Sequence, residues 1–389
     1  MISGKNNVLV QGTLVLLILL LGLGFFFAAQ KPLWNDEIFT QNRSVDRLTY
    51  AGILTGKVPE GNITPLFYLT QKAICDAFGF KLPFVWDGAW TVTDFSAQMI
   101  MRVQPNLAMS LAITLVFYFF AKVYSPGAGL YALLVALSSY MVWIYWVDSR
   151  PYALWFFLTT AQTLLLLCFL KQKENGRPIP WLTAVHLLLS LTAVLSLLQI
   201  VAVSLILFLR GCRTWRPYVF LTVVPVALCL FYHSYSPKYS FWFSDSPVQL
   251  ISASIPKERL ALMTGLIGIL AFLAFRKKED ASVPVVRRLL GVSGAYFLFV
   301  IVIFVESVLL LALFKLKAGA GQEGFPLSNR YFIYLTPVGI VGTALFSVEL
   351  MRAFSKRIGA QAVLVVVLGL VLLFRMVRTW QLVKGYYHF

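Results

Sequence analysis

Ten stretches of this chain are apolar over 17 or more residues: 8–28, 104–121, 127–146, 152–170, 181–209, 217–234, 259–275, 289–313, 331–350 and 359–377. Runs of about 18 residues or more with few charges are long enough to cross the hydrocarbon layer of a bilayer as helices. Ten of them leave little chain for a water-soluble core. Composition agrees, with 59% hydrophobic residues and only 13% charged, where a soluble domain carries about 25% charged. The mean hydropathy is +0.79. A soluble enzyme and a disordered chain are both excluded. The expected fold class is all-α: a polytopic integral membrane protein in which residues 1–389 form a single transmembrane domain.

Orientation follows from the short basic connectors, which belong on the cytoplasmic side. They are Lys171/Lys173/Arg177, Arg210/Arg213/Arg216, Arg276/Lys277/Lys278 with Arg287/Arg288, and Arg352/Lys356/Arg357. The stretch 181–209 is apolar for 29 residues, beyond the roughly 20 that one crossing needs. A single crossing would put the clusters at 171–177 and 210–216 on opposite sides. Two crossings, broken near Ser196–Gln199, put every cluster inside. The count becomes about 11 transmembrane helices, with the N-terminus in and the C-terminus out. Residues 29–103 then form one long outer loop with interfacial helices, such as the amphipathic piece Pro65–Phe78. Val8–Ala28 is too long for a signal-peptide core and reads as a retained first span.

The net charge of +17 is therefore not a nucleic-acid footprint. Much of it sits in the inner connectors, where it sets orientation. Four cysteines at 75, 168, 212 and 229, with no CxxC pair, suggest neither a disulfide framework nor a zinc site. Three histidines do not make a histidine-rich metal centre.

The informative chemistry falls on the outer face. Trp34-Asn35-Asp36-Glu37 follows the first span. Desolvation and mutual repulsion oppose ionisation of adjacent acids at an interface. Such a pair suits a general base with an orienting neighbour, or Asp36 caps a short helix. Asp148-Ser149-Arg150-Pro151-Tyr152 is a minimal connector between two spans. Its acid and guanidinium either pair with each other or divide labour, with Arg150 clamping a phosphate. Arg330 in Ser328-Asn329-Arg330-Tyr331, at the outer start of a span, either meets an anion near a helix N-terminus or snorkels to headgroups. Arg102 has the same two readings. Glu306 lies within a span and is either functional or a hydrogen-bonding partner of a neighbouring helix. His186 reads as a helix-packing residue. Asp36, Glu37 and Asp148 suit a divalent cation if they converge.

In order and spacing these motifs resemble the membrane-embedded C-type glycosyltransferases. The similarity is to the family 39-like group of protein O-mannosyltransferases and bacterial aminoarabinose transferases. Trp34-Asn35-Asp36-Glu37 is similar to the family's acidic motif, and Thr64-Pro65-Leu66-Phe67-Tyr68 to its loop segment. Arg102 falls where the family commonly carries an arginine. Asp148 to Tyr152 resembles its acid-x-Arg-x-Tyr connector, and Arg330-Tyr331 with Pro337 its late Arg-Tyr signature. The similarity covers roughly residues 10–350. Ile63 stands where many relatives have His, so no role of that histidine carries over.

The resemblance implies inverting transfer of a sugar from a polyprenyl-phosphate donor to a hydroxyl of a glycolipid, polysaccharide or protein. It implies a bacterial inner-membrane protein with its site facing the periplasm or exterior. Asp36 would be the general base, with Glu37 and Asp148 as catalytic partners. Arg150, Arg330, Tyr331 and Arg102 would bind the donor phosphate, and Tyr152, Tyr68 and Glu306 would line the substrate. No resident cofactor is certain, with a divalent cation left open. The competing class is a transporter or flippase for an anionic lipid, which calls for ionisable residues at the midplane and access from both faces. Only Glu306 fits that pattern.

Overall fold

The computed structural model describes residues 2–60, 64–82, 91–171, 178–210, 212, 215–235, 267–269, 291–318, 329–355 and 358–387, with backbone alone at 2–6, 91–92, 310–318, 329 and 331. The long helices are α1 (Ile2–Gln30), α6 (Val103–Val123), α9 (Tyr152–Lys171), α12 (Arg216–Tyr235), α13 (Val292–Ala318), α14 (Leu335–Ala353) and α15 (Ile358–Val383). Among the described residues these seven are long and apolar enough to cross a membrane. Among the described residues the fold is almost wholly helical, and its long apolar helices are those of an all-α membrane protein. The expected span 259–275 lies outside the described residues except at 267–269.

One expected span is broken, and the run expected to cross twice is broken a few residues early. The run 127–146 forms α7 (Pro126–Leu137) and α8 (Tyr140–Tyr145), parted at Ser138-Ser139. At 1.5 Å per residue, 12 residues reach only about 18 Å. Helix α15 supports the break: Arg375 donates from Nε to Ser138 Oγ at 3.2 Å, and Thr379 Oγ1 donates to the Ser138 carbonyl at 2.7 Å. The run 181–209 forms α10 (Pro178–Ser190) and α11 (Ser196–Leu209). The break lies at residues 191–195, ahead of the expected Ser196–Gln199, because the amide of Leu66 takes the Leu191 carbonyl at 2.8 Å.

Basic side chains mark one end of this bundle. Lys171 and Arg352 both cover the Tyr124 ring, at 3.7 and 4.6 Å from its centroid. Arg210 donates to the Leu170 carbonyl at 3.1 Å. The far end of α11 therefore returns to the end where α9 finishes, and α10–α11 is a hairpin. His186 is a packing residue: its Nδ1–H donates to the Leu221 carbonyl at 2.6 Å, in a π-helical turn of α12, and its Nε2 accepts from Gln162 at 2.9 Å.

The opposite end carries the segment between α1 and α6. It holds α2 (Asn35–Thr40), a π-helical turn Gln41–Asp46, α3 (Tyr50–Leu54), α4 (Leu66–Ala77) and α5 (Phe95–Met101). A two-residue antiparallel pairing sets Leu33 (β1, Leu33–Trp34) opposite Val92 (β2, Thr91–Val92). The expected short helices are present, and α4 is amphipathic. Its Phe67, Tyr68, Gln71 and Cys75 are buried while Phe78 just beyond is exposed. The buried face packs with Val45, Ile53 and Val58 of the same segment and with Val194 and Tyr232 of the bundle. Helix α1 approaches α6 closely at Gly24, where a Cβ would collide with Asn106 Oδ1. That side chain donates to the Leu21 carbonyl at 3.0 Å and accepts from the Trp146 indole at 3.1 Å.

Candidate active site

Three ion pairs join the motifs at the end opposite Tyr124, and they differ in how open they are. The innermost is Glu37 with Arg102, neither of which is exposed. Glu37 lies in the first turn of α2, and its Oε2 reaches back to the Trp34 amide at 3.2 Å. Arg102 ends α5 and brings its guanidinium to the same carboxylate, Nε at 3.2 Å and Nη2 at 2.9 Å. The Ser149 amide adds a third kind of donor at 2.8 Å. Burial raises the Glu37 carboxyl, but Arg102 and Lys31 with the Arg102 and Ser149 hydrogen bonds outweigh it and hold it below its ordinary value. The helix N-terminus is therefore capped through Glu37, and Asp36 is not the cap.

This geometry corrects two expectations. Arg102 is not placed to bind a phosphate. Its remaining N–H groups donate to the carbonyls of Ala28, Lys31 and Pro32, so the α1 terminus and Glu37 consume its donors. Glu37 does not orient Asp36 and is sealed from any substrate. It is a positioning residue that ties β1–α2 to α5 and to the 148–150 connector.

The second pair is Arg150 with Glu60, 3.5 Å apart. Arg150 Nη1 also donates to Thr40 Oγ1 at 2.9 Å and to the Asp36 carbonyl at 3.1 Å. Glu60 was invisible in the sequence. It is buried and accepts from Ser44 at 2.8 Å and Thr40 at 3.1 Å. Burial pushes the Tyr68 hydroxyl well above its ordinary range, so it is a neutral donor to Glu60. Tyr152 lies beside the Arg150 guanidinium, 6.0 Å from it to the ring centroid.

The third pair is the most open. Arg330, in the 3-10 turn Asn329–Phe332, donates from Nη1 to Asp36 Oδ2 at 2.8 Å. Arg150 Nη1 lies 3.8 Å from the same oxygen. Asp36, Arg150 and Arg330, which the basic connectors put on one face and the resemblance put in one site, thus come together although 294 residues separate Asp36 from Arg330. The Tyr331 side chain lies outside the described residues.

Asp148 sits behind this group, buried, and accepts from the Trp34 indole at 3.3 Å. Burial pushes its carboxyl above the ordinary value, against the attraction of Lys31. Lys31 is itself buried, 3.9 Å from Glu37, and donates to the Tyr386 hydroxyl at 3.0 Å. A divalent cation at Asp36, Glu37 and Asp148 would require the three acids to converge. Among the described residues no three Asp, Glu, His or Cys side chains gather to hold a metal, and Glu37 is committed to Arg102. Glu306 stands on α13 beside Ser307, whose hydroxyl meets that of Tyr334 at 2.6 Å, and its Oε2 is buried with no hydrogen-bond partner among the described residues.

No family model and no curated protein matches the chain.

Proposed function

We propose that this chain is an inverting glycosyltransferase that moves a sugar from a polyprenyl-phosphate donor to a hydroxyl acceptor. The observation that carries the reading is the partly open carboxylate of Asp36 held between the guanidiniums of Arg330 and Arg150. The pair sits at the end of an apolar bundle suited to a lipid tail, opposite the basic end at Tyr124.

In this reading the donor phosphate sits on Arg330 and Arg150. The acceptor hydroxyl attacks the sugar's anomeric carbon from the face opposite the phosphate. A bond forms from acceptor oxygen to anomeric carbon as the bond from that carbon to the phosphate oxygen breaks. The electron pair leaves on the phosphate, and Asp36 takes the hydroxyl proton. Guanidiniums beside the leaving oxygen stabilise the charge that grows there more than the ground state. Glu60 fixes Arg150, while Glu37 and Asp148 hold the backbone on which Asp36 and Arg150 stand. About 11 crossings, with this end facing the periplasm or exterior of a bacterial inner membrane, belong to the same proposal.

The test is transfer from radiolabelled polyprenyl-phosphate sugars by the purified full chain in lipid nanodiscs. Asp36→Asn is expected to lower turnover by about 10²–10⁴-fold. Intact turnover in that variant removes Asp36 as base. Movement of an anionic lipid across vesicles with no glycosidic bond made would replace the reading with a transporter.

A further inference from the structure

The three ion pairs form a gradient of exposure: 0%/0% for Arg102–Glu37, 14%/6% for Arg150–Glu60 and 22%/30% for Arg330–Asp36. The first two are fixed in addition by hydrogen bonds to backbone or hydroxyl groups. The carboxylate of Asp36 has no such second anchor among its described contacts. Its two neighbours are the guanidiniums.

We infer that Asp36 occupies an anion site of its own making: a phosphate monoester or diester displaces its carboxylate from Arg330, and that displacement frees Asp36 to act. The inference rests on the transferase reading for what the freed carboxylate then does, but not for the exchange itself. Carboxylate and phosphate oxygens take the same guanidinium donors, so the two compete for one place. The site survives the exchange, because Arg150 keeps Thr40, Glu60 and the Asp36 backbone carbonyl when it loses the Asp36 side chain. In that arrangement Asp36 Oδ2 faces the N–H groups of Arg330 and Arg150 instead of an acceptor hydroxyl. Without phosphate the base is therefore restrained, and with phosphate on Arg330 it stands free beside the bound anion. Proton transfer becomes conditional on a filled donor site, a coupling between one ligand and one side chain.

The experiment is binding of farnesyl phosphate, inorganic phosphate and farnesol to the detergent-solubilised full chain by calorimetry. Asp36→Asn is expected to bind farnesyl phosphate about three- to tenfold more tightly than the unaltered chain. In an Arg330→Ala or Arg330→Gln background the same substitution is expected to bring no gain. Unchanged or weaker binding in Asp36→Asn overturns the exchange. So does an equal gain in both backgrounds, which would reflect only the general field of a lost charge. Tighter binding of farnesyl phosphate than of inorganic phosphate, with farnesol silent, assigns the site to a lipid-linked phosphate. Equal affinities assign it to free phosphate and keep the exchange. Coupling found without sugar transfer would sink the transferase reading and leave the exchange standing. Loss of transfer in Asp36→Asn without coupling would do the reverse.

Discussion

Arg102 grips Glu37 across 65 residues of chain with two hydrogen bonds, 3.2 and 2.9 Å, in a place where neither side chain touches solvent. Removing Glu37 leaves the Arg102 guanidinium buried without its carboxylate, and removing Arg102 leaves Glu37 only the more distant Lys31 at 3.9 Å. Glu37→Gln and Arg102→Met are each expected to destabilise the fold by about 3–5 kcal/mol. The double variant Glu37→Leu with Arg102→Met should lose less than the sum of the two single changes. Thermal unfolding of the purified variants checks both points, and additive losses would show that the pair is not coupled.

The two buried carboxylates behave oppositely with pH. Glu37 is held below its ordinary 4.5, so its stabilising contribution is complete above that value and lost as pH falls through its folded value. Asp148 is raised above 3.8, so the folded state holds its proton more tightly than the unfolded one. Stability from Asp148 is present below 3.8 and declines as pH rises through the raised folded value. Asp148→Asn is expected to raise the unfolding temperature near pH 7 by about 1–3 °C, with the gain fading toward acid. A drop at pH 7 that does not fade would contradict the assigned sign.

Glu60 neutralises and aims Arg150 without facing the open side. Glu60→Gln keeps the side chain's shape and one of the two oxygens that accept from Ser44 and Thr40, turns the other into an amide donor, and removes the charge. It is expected to raise the donor KM by about 10- to 100-fold with little change in kcat. A merely structural role would lower the active fraction and leave KM where it was, so steady-state kinetics on the purified variant separate the two.

At the Ser138 break, Thr379 and Arg375 satisfy groups that the interrupted helix leaves over. Thr379→Val is expected to cost about 1 kcal/mol and Arg375→Leu about 1–3 kcal/mol, as buried polar groups lose partners. Unfolding temperatures measured in one detergent would reveal whether the break depends on α15.

Much of this end of the molecule was legible because membrane topology is written in charge. The basic connectors grouped Asp36, Arg150 and Arg330 on one side before any contact was known, and the contacts join them. Arg102 misled because an arginine at an interface looks the same whether its donors face a ligand or backbone. Only the folded end of α1 presents the Ala28, Lys31 and Pro32 carbonyls to it. Glu60 carries no local signal, being a lone acid in a Pro-Glu-Gly stretch whose partners lie on α2, the following π-helical turn, α4 and the 148–150 connector. The break at Ser138 was hidden for a related reason. A serine pair in an apolar run reads as tolerated polarity, and its meaning depends on side chains more than 230 residues later.

The distances along the chain between Glu37 and its partners also set a timetable. Arg102 follows it by 65 residues and Ser149 by 112. At about 5–20 residues per second, ribosomal synthesis leaves the acidic motif without its full set of partners for roughly 5 to 20 s. During that interval a carboxylate destined for a dry interior has to remain in water. The Glu37 pocket therefore closes only once the connector ahead of α9 is made, and the open pair at Asp36 waits longer, for Arg330, 294 residues on.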